Sequence, residues 1–229
     1  MLSSEDIAAQ QELLTTYRRN IRVLLVQAAQ HGGEMSAPLP IANNLSEARE
    51  NIERIKNVLR ASSCNVEDHP DDAPPQRRDL DQAIVKHAAH VSEDDRSQVL
   101  RRAKHATAIL QGAQILWVDD TPSNNIYERR LLRSLGVFVD LARSTAEAVE
   151  MLQDAKYDAV ISDMAQDGNP EAGIQLLSEM RKRNLYRWTI FYIGHVDMER
   201  GTPPYAFGIV DRPDHLLHYL IDVLERERL

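Results

Sequence analysis

The chain has 229 residues, of which 43% are hydrophobic and 27% charged, a composition typical of folded globular proteins. Its formal net charge of −8 argues against non-specific nucleic-acid binding, which needs a basic surface. No segment offers the roughly 20 consecutive apolar residues of a membrane span, and the acidic N-terminus is unlike a signal peptide. Because Cys64 is the single cysteine, an internal disulfide is excluded and a cytoplasmic location is expected.

The first part of the chain predicts an all-helical region. Ser3 or Ser4 can cap a helix whose apolar residues recur every three or four positions until glycines stop it at Gly32. A second amphipathic helix is expected to begin near Ser46. Since two such stripes must cover each other or a partner, residues 1–65 predict an antiparallel helical hairpin that acts as an interaction domain.

Two further segments connect this hairpin to the rest of the chain. Residues 66–78 are rich in proline and acids and lack an apolar period, which predicts a solvated linker. Residues 79–112 predict a helical connector, with one helix over about 80–91 and another over about 92–112.

From residue 113 onward, short apolar runs alternate with amphipathic stretches, which predicts an α/β domain over residues 113–229. Strands are expected at 115–118, 137–141, 157–162, 188–193 and 207–210. Helices are expected at about 124–135, 145–153, 171–183 and 214–226. The order predicts a five-stranded doubly wound parallel sheet, and Pro203 and Pro204 predict that its fourth helix is truncated or missing.

Acidic residues follow two of the predicted strands. Asp119 and Asp120 come directly after the first strand, and Asp163 comes after the third. The carboxyl ends of parallel strands share one edge of a sheet, so these side chains are expected in one crevice. A hard divalent cation such as Mg²⁺ would relieve the repulsion between them.

These features together resemble an atypical response regulator receiver domain of the CheY-like kind, over about residues 114–229. The likeness rests on a paired acid, a lone acid, a glycine before an apolar helix and a basic residue before proline: Asp119–Asp120, Asp163, Gly173 and Arg212–Pro213. The resemblance implies a flavodoxin-like fold with a phosphoacceptor in the acid pocket.

The resemblance also implies a role for each pocket residue. Asp163 would accept a phosphoryl group from a histidine kinase or another phosphodonor. Asp120, Asp163 and the backbone carbonyl of Ala165 would hold Mg²⁺, and Asp119 would act mainly through water. Arg212 would supply the positive charge that receivers usually take from lysine.

Three departures from the receiver pattern put the usual switch in doubt. Arg212 replaces the lysine, Ile193 replaces the hydroxyl residue at the end of the fourth strand, and Ile209 replaces an aromatic residue. Isoleucine cannot donate a hydrogen bond to a phosphoryl group. Arg212 could also form a salt bridge with a pocket acid in place of the metal, and both readings stay open.

We therefore expect a signalling adaptor rather than an enzyme, with output through contacts of the N-terminal helices with a protein partner or a second copy. That helical pattern is also similar to small adaptor domains of some bacterial multidomain conflict or signalling proteins. Two alternatives use the same residues: a metal-dependent phosphohydrolase, or a pseudo-receiver scaffold without phosphorylation. The spaced pairs His87 and His90, and His215 and His218, are expected to be solvated helix surface.

Overall fold

The computed structural model describes residues 3–87, 89–166, 168–194 and 201–228. The chain forms two compact units, Met1–Arg78 and Asp79–Leu229. Among the helices that the structure describes, none combines the length and apolar character that a membrane span requires.

The first unit is a helical hairpin of α1 (Ser4–Ala29) and α2 (Leu39–Ala61). Ser3 caps α1 through reciprocal hydrogen bonds with Asp6. The second helix begins at Leu39 and not near Ser46 as expected. A proline in its first turn is compatible with the helix, because the N–H that proline lacks would have no partner within the helix at that position.

Apolar side chains on facing stripes of α1 and α2 form the core of the hairpin. The buried members are Leu14, Ile21, Ala28, Leu45, Ala48, Ile52, Ile55 and Leu59. They recur at helical spacing, so the predicted amphipathic pattern explains why the two helices pair.

The segment expected to be a solvated linker contains a buried carboxylate. Asp72 ends a 3-10 turn over Pro70–Asp72, and its side chain is only 4% exposed. Arg18 donates to both carboxylate oxygens at 2.9 and 2.6 Å, and Lys56 Nζ lies 3.2 Å from one of them. The expectation of solvation is therefore wrong for Asp72, because cations on both helices hold it in place.

Substituting Asp72 with asparagine is expected to destabilise the hairpin. Burial alone would raise the pKa of Asp72, but hydrogen bonds from Arg18, the His69 N–H and Lys56 outweigh it and leave the pKa lowered. Asp72→Asn should cost about 2 kcal/mol of unfolding free energy, less than a fully buried pair because Arg18 is partly exposed. Hydrogen exchange of the α1 amides in the full chain measures this loss.

The same ion cluster gives the hairpin a defined pH dependence. A carboxylate with a lowered folded-state pKa contributes stability that is present at neutral pH and is lost as pH falls through that pKa. Lowering the pH should therefore reduce the difference in unfolding free energy between the parent and Asp72→Asn. Glu67→Gln, at an exposed acid in the same run, is the control. Equal exchange rates in the parent and Asp72→Asn would contradict the assignment.

The second unit begins within α3 and contains a parallel sheet. Its helices are α3 (Pro75–Lys86), α4 (Glu93–His105), α5 (Thr107–Leu110), α6 (Ile126–Ser134), α7 (Thr145–Asp154), α8 (Ala172–Lys182) and α9 (Pro213–Arg228). Its strands are β1 (Gln114–Val118), β2 (Phe138–Ala142), β3 (Ala159–Ser162), β4 (Thr189–Tyr192) and β5 (Gly208–Val210). The single helix expected over 92–112 is two helices, α4 and α5.

The sheet has the strand order β2-β1-β3-β4-β5, and all neighbouring pairs are parallel. Alternate residues of β1 point to opposite sides, with Ile115 and Trp117 in one apolar cluster and Leu116 and Val118 in the other. Helices α6 and α9 contribute to the first cluster, and α7 and α8 contribute to the second. The predicted doubly wound α/β fold is confirmed.

The helices before β1 are part of this domain's core. Leu80 of α3, Val99 of α4 and Leu110 of α5 are fully buried in the cluster that holds Trp117 and α9. The segment predicted as a connector therefore covers one face of the sheet, which explains how such short helices are stable.

The chain between β4 and β5 bears on the predicted loss of the fourth helix. None of the described residues there, 193–194 and 201–207, is helical. Residues 195–200 belong to the same prediction and lie outside the described residues.

Candidate functional site

The first and third strands bring two of the predicted acids to the same edge of the sheet. Val118 and Ser162 are register partners at the ends of β1 and β3. The Asp163 N–H donates to the Val118 carbonyl at 3.0 Å, and the Asp119 N–H donates to the neighbouring strand β2 at 2.9 Å. Asp119 and Asp163 therefore leave adjacent strands side by side, and Asp120 follows Asp119 directly.

The charges of these acids act on one another. Burial and the charge of Asp120 raise the pKa of Asp119, against hydrogen bonds from the Thr121 N–H and from Asn125. Burial and the charges of Asp119 and Asp120 raise the pKa of Asp163, against the N–H groups that follow it. The three carboxylates are thus close enough for their charges to interact; their role as a binding site stays a prediction.

A short chain of hydrogen bonds orients Asp119. Its Oδ1 accepts from the Thr121 N–H at 2.7 Å, and its Oδ2 accepts from Asn125 Nδ2. The Asn125 amide oxygen accepts from Arg129 Nε at 2.8 Å, and Arg129 also donates to the Pro122 carbonyl. The 3-10 turn Pro122–Asn125 is therefore tied to the acid on one side and to α6 on the other.

Sequence reasoning missed Asn125 and Arg129. Asn125 directly precedes α6 and Arg129 lies four residues later, a spacing at which side chains are neighbours, and this was the available signal. Nothing in the sequence shows that the asparagine amide turns toward Asp119, because that depends on where the turn lies in the folded domain.

Gly173 allows α8 to begin close to the loop that follows Asp163. The Gly173 N–H donates to the Met164 carbonyl at 3.0 Å. A Cβ at this position would lie 2.5 Å from Cε1 of the fully buried Phe191 and 2.9 Å from the Asp163 carbonyl oxygen. The glycine noted in the sequence is thus required by close approach of two backbone segments.

The Gln166 side chain contacts the end of β3 and the start of the loop that follows Asp163. Its side chain is buried, and Nε2 lies 3.3 Å from Ser162 Oγ and 3.4 Å from the Asp163 carbonyl oxygen. Gln166 and Asn169 pair through both backbone groups, at 3.1 and 2.8 Å. Among the described residues, Gln166 Oε1 has no hydrogen-bond partner. Gln166 therefore holds the residues directly after Asp163 against the end of β3.

The structure does not bring Arg212 to the acids. Arg212 Nη2 lies 2.6 Å from Asp214 Oδ2 and 3.3 Å from Asp95 Oδ2. The hydrogen bond and charge of Asp214, with those of Asp95, raise the pKa of Arg212. The ion pair with a pocket acid, one of the two alternatives, is not the arrangement that the described residues adopt.

Ile193 and Ile209 are packed apolar residues. Both are partly buried against the cluster formed with α7 and α8, and the Ile193 N–H continues the sheet by donating to the Val210 carbonyl at 3.0 Å. Neither side chain can bind a phosphoryl group, as the sequence indicated.

The pocket has the chemistry that Mg²⁺ requires, although its oxygens already have partners. The carboxylates of Asp119, Asp120 and Asp163 supply hard oxygen donors, and burial together with neighbouring acid charges raises the pKa of Asp119 and of Asp163. Asp163 Oδ1 accepts from the Met164 N–H at 2.6 Å, and both Asp119 oxygens are occupied. Within the described residues, no three His, Cys, Asp or Glu side chains form a ready-made metal cluster. The ligand set expected from the sequence, Asp120, Asp163 and the Ala165 carbonyl with Asp119 acting mainly through water, stays a prediction.

Comparison with known proteins gives one family match. The family model of the response regulator receiver domain matches residues 115–211, which is less than half of the chain. None of the curated proteins that were compared matches the chain.

Several solved receiver structures are similar to about half of the chain. The chemotaxis response regulator CheY4 of Vibrio cholerae is 25% identical, with coverage of 48% of this chain and 98% of that one and a TM-score of 0.43. A receiver domain protein from Clostridium thermocellum is 23% identical, with coverage of 51% and 97% and a TM-score of 0.44. The response regulator TrrA of Thermotoga maritima, in complex with Mg²⁺ and BeF, is 24% identical, with coverage of 48% and 98% and a TM-score of 0.41.

Adding one methyl group at Gly173 is expected to disturb the pocket loop. In Gly173→Ala the new Cβ meets a buried ring and a backbone carbonyl, neither of which can move freely. We expect a loss of about 1–3 kcal/mol in unfolding free energy, measured by denaturant titration. Gly194→Ala is the matched control, since a Cβ there meets nothing within 4 Å. Equal losses in both variants would contradict the close-approach argument.

Removing the charge of Asp163 is expected to stabilise the metal-free domain. A carboxylate whose folded-state pKa is raised lowers stability as pH rises above its unfolded pKa, so the full cost is present at neutral pH. Asp163→Asn should therefore gain roughly 1 kcal/mol at neutral pH, allowing for partial solvent screening.

Thermal unfolding in the presence of a chelator measures this gain. The difference should shrink as the pH falls below the ordinary aspartate pKa. Glu150→Gln, at an exposed acid of α7, should change stability by less than about 0.5 kcal/mol. A destabilised Asp163→Asn protein would show that the charge is compensated.

Proposed function

Since residues 115–211 are a response regulator receiver domain, we propose that the chain is a signalling adaptor whose acid pocket binds Mg²⁺ and accepts a phosphoryl group on Asp163. The observation that carries this proposal is that Asp119 and Asp163 follow the paired ends of β1 and β3, with Asp120 beside them. Burial, together with the charges of neighbouring acids, raises the pKa of both Asp119 and Asp163. Binding of a divalent cation lowers the free energy of such a site, because the cation offsets the repulsion between the carboxylates.

Phosphoryl transfer needs a positioned nucleophile and neutralised charge. An Asp163 carboxylate oxygen would form the bond to phosphorus while the bond from phosphorus to the donor's leaving group breaks, which gives an acyl phosphate on Asp163. The backbone N–H groups of Met164 and Ala165 hold the carboxylate in place. The bound cation would neutralise charge on the transferred group.

The output of this domain differs from that of a receiver with a hydroxyl switch. Ile193 and Ile209 are packed and cannot report a phosphoryl group by hydrogen bonding. We place the output in protein contacts of the N-terminal helices, where Val23 and Val26 of α1 are apolar and more than half exposed. The partner would be another protein or a second copy of the chain.

Titration with Mg²⁺, followed by beryllofluoride as a phosphoryl mimic, tests the proposal. Trp117 is buried two residues before Asp119, so its fluorescence should report ligand binding. In Asp163→Asn we expect about tenfold weaker Mg²⁺ binding, equivalent to about 1.4 kcal/mol, and no response to beryllofluoride. Glu150→Gln should bind both ligands like the parent.

Two other outcomes separate the alternatives. No spectral response and no binding by calorimetry in the parent would favour a pseudo-receiver scaffold and would overturn the proposal. Magnesium-dependent turnover of a generic aryl phosphate, abolished by Asp163→Asn, would instead identify a phosphohydrolase and would overturn the non-enzymatic assignment.

A further inference from the structure

Helix α3 contacts the loop that follows the acid pair, although α3 lies outside the segment matched by the receiver family. Lys86, the last residue of α3, donates a hydrogen bond from Nζ to the Ser123 carbonyl. Ser123 belongs to the 3-10 turn Pro122–Asn125. A helix outside the matched segment therefore contacts the turn between Asp120 and α6.

The next residue of the chain contacts α6 itself. His87 Nε2 lies 2.7 Å from Glu128 Oε1, and the His87 ring packs against Tyr192 at a centroid distance of 5.3 Å. Glu128 is only 1% exposed, and it also accepts from the Tyr192 hydroxyl at 2.8 Å. The His87–Glu128 contact has ion-pair distance without good hydrogen-bond geometry, and Glu128 Oε2 has no hydrogen-bond partner among the described residues. His87 is thus not the solvated surface residue that the sequence predicted.

The body of α3 is anchored in the domain core. Leu80 and Ala83 are fully buried, and Ile84 is nearly so, within the apolar cluster that contains Trp117. Because these side chains fix the position of the helix, Lys86 contacts the pocket loop, and His87 contacts α6, from a rigid support.

The contacted turn is the same turn that orients Asp119. Asn125, its last residue, donates to Asp119 Oδ2 and accepts from Arg129. A shift of the turn would therefore displace the amide that holds the acid. Contacts run without a gap from Lys86, through the turn, to the pocket.

We propose that Lys86 and His87 are positioning residues of the acid pocket, so that cation binding in the pocket and the packing of α3 stabilise each other. This inference rests on the proposed function, because it requires the pocket to bind Mg²⁺. Coupling between two sites is reciprocal, so a variant that loosens the end of α3 must weaken binding, and binding must protect α3. The geometry thus gives the pocket a readout that does not use Ile193 or Ile209.

Lys86→Ala in the full chain tests the lysine contact. Loss of one hydrogen bond should weaken Mg²⁺ binding by about threefold, and Lys86→Ala combined with His87→Ala by about tenfold, as measured by Trp117 fluorescence. The direction is diagnostic, because removal of a positive charge near an acidic pocket would by Coulomb's law alone strengthen cation binding. Lys86→Arg keeps a charged donor and should restore binding to near the parent value.

Val85→Ala is the matched control. Val85 precedes Lys86 on α3 and is 77% exposed, so its loss should leave Mg²⁺ affinity unchanged. Hydrogen exchange provides the second readout: Mg²⁺ with beryllofluoride should slow exchange of the α3 amides severalfold in the parent and in Val85→Ala, and should have little effect in Lys86→Ala.

The outcomes separate this inference from the proposed function. Unchanged or tighter Mg²⁺ binding in folded Lys86→Ala, together with normal binding in the parent, would overturn the positioning role alone. An α3 exchange rate that does not respond to ligand in a parent that binds would do the same. Absence of binding in the parent itself would overturn the proposed function and this inference with it.

Discussion

Electrostatic repulsion at the carboxyl edge of β1 and β3 is the constraint on which the rest of the site depends. Parallel strands in register deliver Asp119 and Asp163 to one place, and the chain adds Asp120 beside them. Burial, together with the charges of neighbouring acids, raises the pKa of Asp119 and of Asp163, so the fold tolerates this repulsion and does not remove it. Arg212 pairs with Asp95 and Asp214 and not with these acids. The pocket therefore retains an excess of negative charge that a bound cation can offset.

The two loops of the pocket are held in different ways. Backbone contact at Gly173 and the buried amide of Gln166 fix the loop after β3 through atoms that cannot move without disturbing the core. The loop after β1 is a 3-10 turn held by Asn125, Arg129 and the exposed Lys86. Side-chain contacts of this kind can rearrange at a lower free-energy cost than backbone packing. The loop after β1 is therefore easier to displace than the loop after β3.

Local patterns in the sequence were sufficient to predict the sheet and the positions of Asp119, Asp120 and Asp163 after its strands, because strand ends, helix stripes and turn residues carry their own signals. They failed where a side chain depends on a distant partner. Asp72 appeared to belong to a solvated acidic run, but Arg18 lies on another helix and holds it buried. His87 was expected to be exposed, but it contacts Glu128 of α6, more than forty residues later in the chain. Such pairings follow from tertiary packing, which single-sequence periodicity cannot show.

Because the loop after β1 is easier to displace than the loop after β3, it is the part of the pocket through which ligand binding can change the structure. A ligand bound between Asp119, Asp120 and Asp163 can change the structure only through groups that have somewhere to move. The β4 and β5 positions that receivers use for this purpose hold packed isoleucines, and the β3 loop is fixed by its backbone. Among the described residues, the turn before α6 is held by side chains, and Lys86 at the end of α3 is one of its contacts. Since the chain passes from the first unit to the second within α3, the element that senses the pocket is also the one that joins it to the helical hairpin in sequence.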